Sequence, residues 1–468
     1  MFAFAALVSL AVAACGSDTK SSSTDSPSAT ASPATTAPSS GTGGTVSASS
    51  EPGAAAGPEV KVSFLTHWPP ETVAKLEAAA AKYKETHPNV TIDVNAVPFG
   101  DLLTTVRSTA GGDSAPTIAG IYDLWLPELV RDGIVAKASE AVGASVTADF
   151  AESTSSAATV DGTVYGVPNE IDLYSLNYNK KLFAAAGITD PPATWDALRA
   201  DAKKLTVTTD GKITQQGFGL INSWAAGTVH PFASLLESNG GTLIKDGVPQ
   251  LDSPAATETF QLIEDLIKAD KSTDPTMGTA DANTTGPFLD NFVAGKTAMI
   301  IMANWWESTL RTGMGDAAFA DIATAPIPVG PNGDGPHSVS YSWMTVVSSK
   351  ASADEQAAAW DFLLWLNGPD SGTAGVSGMG DLLQSMGILP SRTSDIVALA
   401  DRLNTPFLKG YVDELANARP FPIVLGGQEF TESLQKQIEA LEFGQTDAAS
   451  AQKTAQSDAK SILESAQG

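Results

Sequence analysis

Val60-Lys61-Val62-Ser63-Phe64-Leu65, then residues 71–86, then Thr91-Ile92-Asp93-Val94-Asn95-Ala96-Val97, form the stretch on which the fold class turns. The first segment is a short apolar-patterned run that reads as a strand. The second sets Val73, Leu76, Ala80 and Tyr83 on one face of a helix, and the third is again a strand. The rhythm continues with a strand over 118–122 and a helical stretch through Leu129 and Val130. Short strands alternating with longer helical patterns predict an α/β protein.

Outward from that stretch, the chain of 468 residues is too long for one ordinary core, so two domains are expected. Hydrophobic residues make up 43% and charged residues 17%, a composition that folds readily. A formal charge of −26 opposes binding to a polyanion, which excludes nucleic acid as a natural partner. No short-period repeat is present, and residues 430–466, rich in Ala, Gln, Glu and Lys, read as helical.

The N-terminus carries a different signal. Residues 2–14 are an unbroken run of apolar and small residues, too short to span a bilayer and of the length of a signal-peptide core. The run ends in Val12-Ala13-Ala14-Cys15-Gly16-Ser17, which resembles a bacterial lipobox, and Cys15 is the only cysteine of the chain. The resemblance implies that residues 1–14 are removed and that Cys15 is lipidated. No Lys or Arg precedes the run, where a signal peptide carries basic residues. Residues 16–57 are almost entirely Ser, Thr, Gly, Ala and Pro, so 15–57 read as a lipidated N-terminus and flexible tether.

No catalytic or metal motif stands out. His67, His87, His230 and His337 are far apart without H-x-x-x-H or H-x-H spacing, so no metal site is expected. Gly295-Lys296-Thr297 resembles the end of a phosphate-binding loop, but Asp290 stands where that loop needs its first glycine. The residues around Ser377 do not spell a nucleophile elbow. No cofactor and no enzyme activity are expected. A secreted carbohydrate-active hydrolase stays open, because a carboxylate pair can form in the fold without a sequence signature.

Several stretches together resemble the extracellular solute-binding proteins of family 1, the sugar receptors of ATP-driven importers. The most specific is Val167-Pro168-Asn169-Glu170-Ile171-Asp172-Leu173-Tyr174-Ser175-Leu176-Asn177-Tyr178-Asn179-Lys180-Lys181-Leu182-Phe183. Ala186-Gly187-Ile188 and Pro192-Ala193-Thr194-Trp195-Asp196-Ala197-Leu198 follow it. Asn291-Phe292-Val293-Ala294-Gly295-Lys296-Thr297-Ala298-Met299, continuing to Trp305 and Trp306, and Gly387-Ile388-Leu389-Pro390-Ser391-Arg392 agree in order and spacing, as does the amphipathic stretch 354–367. The resemblance implies a two-lobed periplasmic-binding-protein-like α/β fold of type II with the ligand cleft between the lobes. Crossings are expected near 166–169, 325–328 and 368–369. Lobe 1 would comprise 58–167 with 328–368, and lobe 2 would comprise 168–327 with 369–468.

It also implies an ABC-importer receptor that binds a sugar, passes it to permease subunits and acts as a monomer at the outer face of the cytoplasmic membrane, held there by its lipid alone. The same fold binding a polyamine, peptide or phosphate ester is the alternative. A sugar presents apolar C–H faces and a rim of hydroxyls, so its site needs flat aromatics beside polar groups. Ligands of open α/β sheets bind at strand ends. That rule selects Trp68 after the first strand, Asp123 and Trp125 after the third, and Asn222 and Trp224 after a strand-like 217–221. The crossover adds Glu170 and Asp172, with Asp172 the stronger candidate by the family pattern. Trp305 or Trp306 aligns with the family's stacking tryptophan. Trp343 lines the cleft or packs the hinge. Trp195, Trp360 and Trp365 lie in helical segments and read as packing residues.

Overall fold

A run of apolar residues that is buried on every side makes a central strand. In the computed structural model, which describes residues 58–281 and 284–467, β3 (Ile118–Tyr122) is such a run, and so is Thr297–Ala303. β1 (Val60–Thr66) pairs in parallel with β2 (Val90–Ala96) and with β3. Between β1 and β2 the helix α1 (Pro70–Thr86) starts with a proline, whose missing N–H is harmless in the first turn. It buries Thr72, Leu76, Ala80 and Tyr83, while Val73 is only partly covered. The signal-peptide and tether assignments, Cys15 included, lie outside the described residues.

Two sheets organise the rest of one compact unit, Ala56–Gly468. The first has the order β2, β1, β3, Trp343–Val347, Gly166–Pro168, with Trp343–Val347 antiparallel to both neighbours. The second is built around Asp172–Asn179, which pairs antiparallel with Thr297–Ala303, Ile322–Ala325 and Val339–Tyr341. Thr297–Ala303 in turn runs parallel to Lys212–Gly219. Helix starts are capped locally: Thr194 accepts from the Ala197 amide ahead of Trp195–Leu205, and Ser352 with Glu355 closes a capping box on Ala353–Leu366. The helical C-terminus consists of two helices, Gly427–Glu442 and Ala448–Ala466, packed against each other beside the second sheet.

The chain passes between the sheets at points that differ from two of the three crossings expected from the family resemblance. It leaves the first sheet at Pro168 and enters the second at Asp172. It does not return near 325–328: Val339–Tyr341 still pairs with Asp172–Asn179, and only Ser342 separates it from Trp343–Val347 in the first sheet. Residues 328–341 therefore belong with lobe 2. The third passage is not at 368–369, because the helix Gly378–Gln384 packs on α1, and Met379, Leu382 and Leu383 join the core of the first lobe. It lies at 389–391, beside 169–171.

These three passages are stitched together. Asn169 donates its amide to Trp343 O (2.8 Å), Ile171 to Leu389 O (3.0 Å) and Ser391 to Asn169 O (3.1 Å). Buried Ser342 sits at their centre, its hydroxyl donating to Glu170 O (2.7 Å) and Trp343 O (3.0 Å). Its amide donates to Asp123 Oδ2 (2.6 Å), and the Asp123 amide donates back to Ser342 O (3.0 Å). Ser342→Ala removes the hydroxyl without changing the backbone, so it is expected to lower unfolding stability by about 1–2 kcal/mol. Urea titration would show this as a lower midpoint at unchanged slope; an unchanged midpoint would contradict the role assigned to Ser342.

Candidate functional site

Four loops following strands and the crossing segment meet at the junction of the two sheets and enclose a cavity of about 510 Å³. β1 ends at Thr66 and leads through His67-Trp68-Pro69 into α1. β2 leads to Pro98 and Phe99. In the second sheet, Lys212–Gly219 leads to Trp224 at the start of Ala225–Glu237, and Thr297–Ala303 runs into the 3-10 turn Asn304–Trp306. Each cavity wall is thus a strand end, where backbone stops pairing and side chains turn toward open space.

Of the ten ligand candidates, Trp68, Glu170, Trp224, Trp305 and Trp343 line this cavity. Trp343 packs over His67 with ring centroids 4.1 Å apart and meets Phe99 edge-on at 5.9 Å. Across the cavity Trp305 donates its indole N–H to Tyr341 Oη (2.6 Å) and meets Trp224 edge-on at 6.0 Å. Glu170, only 4% exposed, comes from the crossing segment between the two walls.

The other five are not among the cavity-lining residues, each for a physical reason. Asp123 is spent on the Ser342 amide. Trp125 stands behind Trp343, edge-on at 5.6 Å, and donates to Gln428 Oε1 (3.1 Å). Asn222 is buried and donates to Pro275 O (2.8 Å). Trp306 is fully buried, its indole 3.9 Å from that of Trp305 and its N–H on Thr284 O (3.3 Å). The segment is a 3-10 turn rather than extended, and it turns Trp305 outward and Trp306 inward. Asp172, the stronger of the two crossover carboxylates on sequence, is the one withdrawn: it begins a paired strand and is 0% exposed, whereas Glu170 lines the cavity.

Residues that sequence reasoning passed over complete the walls: His67, Phe99, Tyr122, Tyr341, Met386 and Ile388. His67 and Tyr341 stand next to or near selected tryptophans at the same strand ends, a signal available in sequence. Met386 and Ile388 carried none.

Burial dominates the electrostatics. It pushes the Glu170 carboxyl well up, with the charge of Asp172 adding to the effect. It raises Asp172 to about 7 against the opposing pull of Glu170 and Asn304. Asp123 also rises through burial. His67 falls to about 4 and His230, donor or acceptor to Tyr122 Oη at 2.9 Å, to about 3, so both rings are neutral near pH 7. Among the described residues no group of three or more His, Cys, Asp or Glu is placed to hold a metal, and no helix is long and apolar enough to cross a membrane.

Comparison with known proteins agrees with this architecture. A binding protein of Brucella abortus is 27% identical over 401 residues, 84% of this chain and 92% of that protein. The diacetylchitobiose binding protein of Streptomyces coelicolor is 30% identical over 269 residues, 56% of this chain and 58% of the relative. The crystal structure of the cyclic alpha-maltosyl-1,6-maltose binding protein from Arthrobacter globiformis matches with a TM-score of 0.72 at 23% identity, covering 87% of this chain and 100% of that one. The shared fold is the two-lobed α/β fold expected from the sequence, with the cavity at the lobe junction. Residues 68–373, well over half of the chain, match the bacterial extracellular solute-binding protein family, and the chain belongs to it.

Proposed function

We propose that this chain is an exported, lipid-anchored receptor of an ABC importer, which captures a mono- or oligosaccharide between its lobes and delivers it, as a monomer, to the membrane permease. The observation that supports this most is the aromatic cavity, with Trp68 and Trp343 on one wall and Trp224 and Trp305 on the other. Flat indole faces match the C–H faces of a pyranose, and a carboxyl group at the crossing can meet its hydroxyls. Relatives named for diacetylchitobiose and maltotriose point to the same ligand class. A phosphate ester or other anion fits poorly, since no Lys or Arg lines the cavity.

The mechanism needs no bond-making. A ligand touching both walls stabilises the arrangement in which they are close, and the permease recognises that arrangement.

Surface attachment rests on Cys15 and its small-residue context. Cys15→Ser is expected to abolish incorporation of labelled fatty acid and to release the protein from the membrane fraction into the medium. Retention of label would contradict the anchor.

Trp305 and Trp306 separate binding from packing. Trp305→Ala is expected to weaken saccharide binding by about 10- to 100-fold in titration calorimetry, at a small cost in stability. Trp306→Ala, emptying a fully buried site, is expected to cost about 3–5 kcal/mol of stability. Equal affinity in the Trp305 variant would remove this residue from the ligand site.

A further inference from the structure

Glu170 is the one carboxyl group that is both buried and on the cavity wall; its Oε2 has no hydrogen-bond partner. Asp172 has neither carboxyl oxygen partnered, and its charge adds to the burial that holds the Glu170 carboxyl up. The groups packed around them bring no positive charge: Asp123 and Tyr122 from the end of β3, Tyr174 from Asp172–Asn179, Tyr341 from Val339–Tyr341, and the neutral rings of His67 and His230. The remaining carboxylate on the wall, Glu71, adds negative charge at the rim.

Among the described residues no Lys or Arg lines the cavity; its donors are neutral, the hydroxyls of Thr284, Ser308 and Thr309 and the indole N–H groups, of which that of Trp305 is occupied by Tyr341. Its walls present the electron-rich faces of Trp68, Trp224, Trp305, Trp343 and Tyr341 around the Glu170 carboxyl. A ligand bearing N⁺–H groups satisfies both features, because a cation is drawn to indole faces and a buried carboxylate requires a cation.

We infer that the cleft selects an amine-bearing saccharide whose ammonium group pairs with Glu170 beneath the aromatic walls. This rests on the saccharide reading above and narrows it. On binding, the ammonium takes the place of the proton that burial keeps on Glu170, and that proton passes to the buffer, one per ligand.

The test compares a glucosamine disaccharide with its diacetylated counterpart, in which each ammonium is replaced by a neutral and bulkier acetamide. Titration calorimetry of the full chain at about pH 6, where an alkyl ammonium stays protonated, in two buffers of different ionisation enthalpy gives affinity and proton count together. The amine form is expected to bind about tenfold or more tightly and to release close to one proton, and Glu170→Gln to abolish the preference. Equal or tighter binding of the diacetylated form, with no proton released, overturns the inference and leaves the saccharide reading standing. A preference that survives in Glu170→Gln overturns Glu170 as the partner. Binding of neither disaccharide overturns the saccharide reading and this inference together. Should Glu170→Gln fail to fold, the affinity ratio and proton count of the unaltered chain decide.

Discussion

The hydrogen bonds that gather three passages of chain around Ser342 are the constraint on which the site depends. Two sheets from interleaved segments have no contiguous linker, so their relative placement is set where 169–171, Ser342 and 389–391 run side by side. The Ser342 hydroxyl ties Glu170 and Trp343, and its amide ties Asp123. The backbone of the residue that carries the cavity-wall carboxyl, the backbone of one wall tryptophan and the end of β3 therefore share one small network. A few residues that hold two lobes and border the ligand space are positioned to couple occupancy to lobe geometry.

A second consequence is the concentration of buried acid at the junction. Asp123, Glu170 and Asp172 all lie within the protein, and no buried Lys or Arg among the described residues balances them. An isolated buried carboxylate is expensive, so such groups stay protonated or wait for a partner. Asp123 accepts from the Ser342 amide, while Glu170 Oε2 and both Asp172 carboxyl oxygens have no partner. Because folding raises both of these carboxyls above their unfolded values, their contribution to stability is fully present only below those unfolded values. It is lost as pH rises from there to the folded value, about 7 for Asp172.

Much of this was legible in sequence, for reasons that also explain what was not. β3 stood out because every residue in it is apolar or small and every one is buried. The strand-end rule found Trp68 and Trp224, and the family pattern found Trp305. The strand-end rule failed for Asp123 and Asn222, whose short polar side chains were claimed by backbone, and for Trp125, which packs behind Trp343. The crossing at Ser342 was invisible because one residue between two strands needs neither proline nor glycine. The choice of Asp172 over Glu170 turned on which residue begins regular pairing with Val339–Tyr341, a matter of register between segments far apart in sequence.

The account's central claim is that the aromatic cavity between the lobes takes a saccharide. Thermal unfolding of the protein against mono- and oligosaccharides, polyamines and amino acids tests it most directly, because a ligand that binds only the folded state must raise the melting temperature. The account predicts a concentration-dependent rise with one saccharide class. A rise with polyamines or amino acids alone, and none with any saccharide, would contradict it.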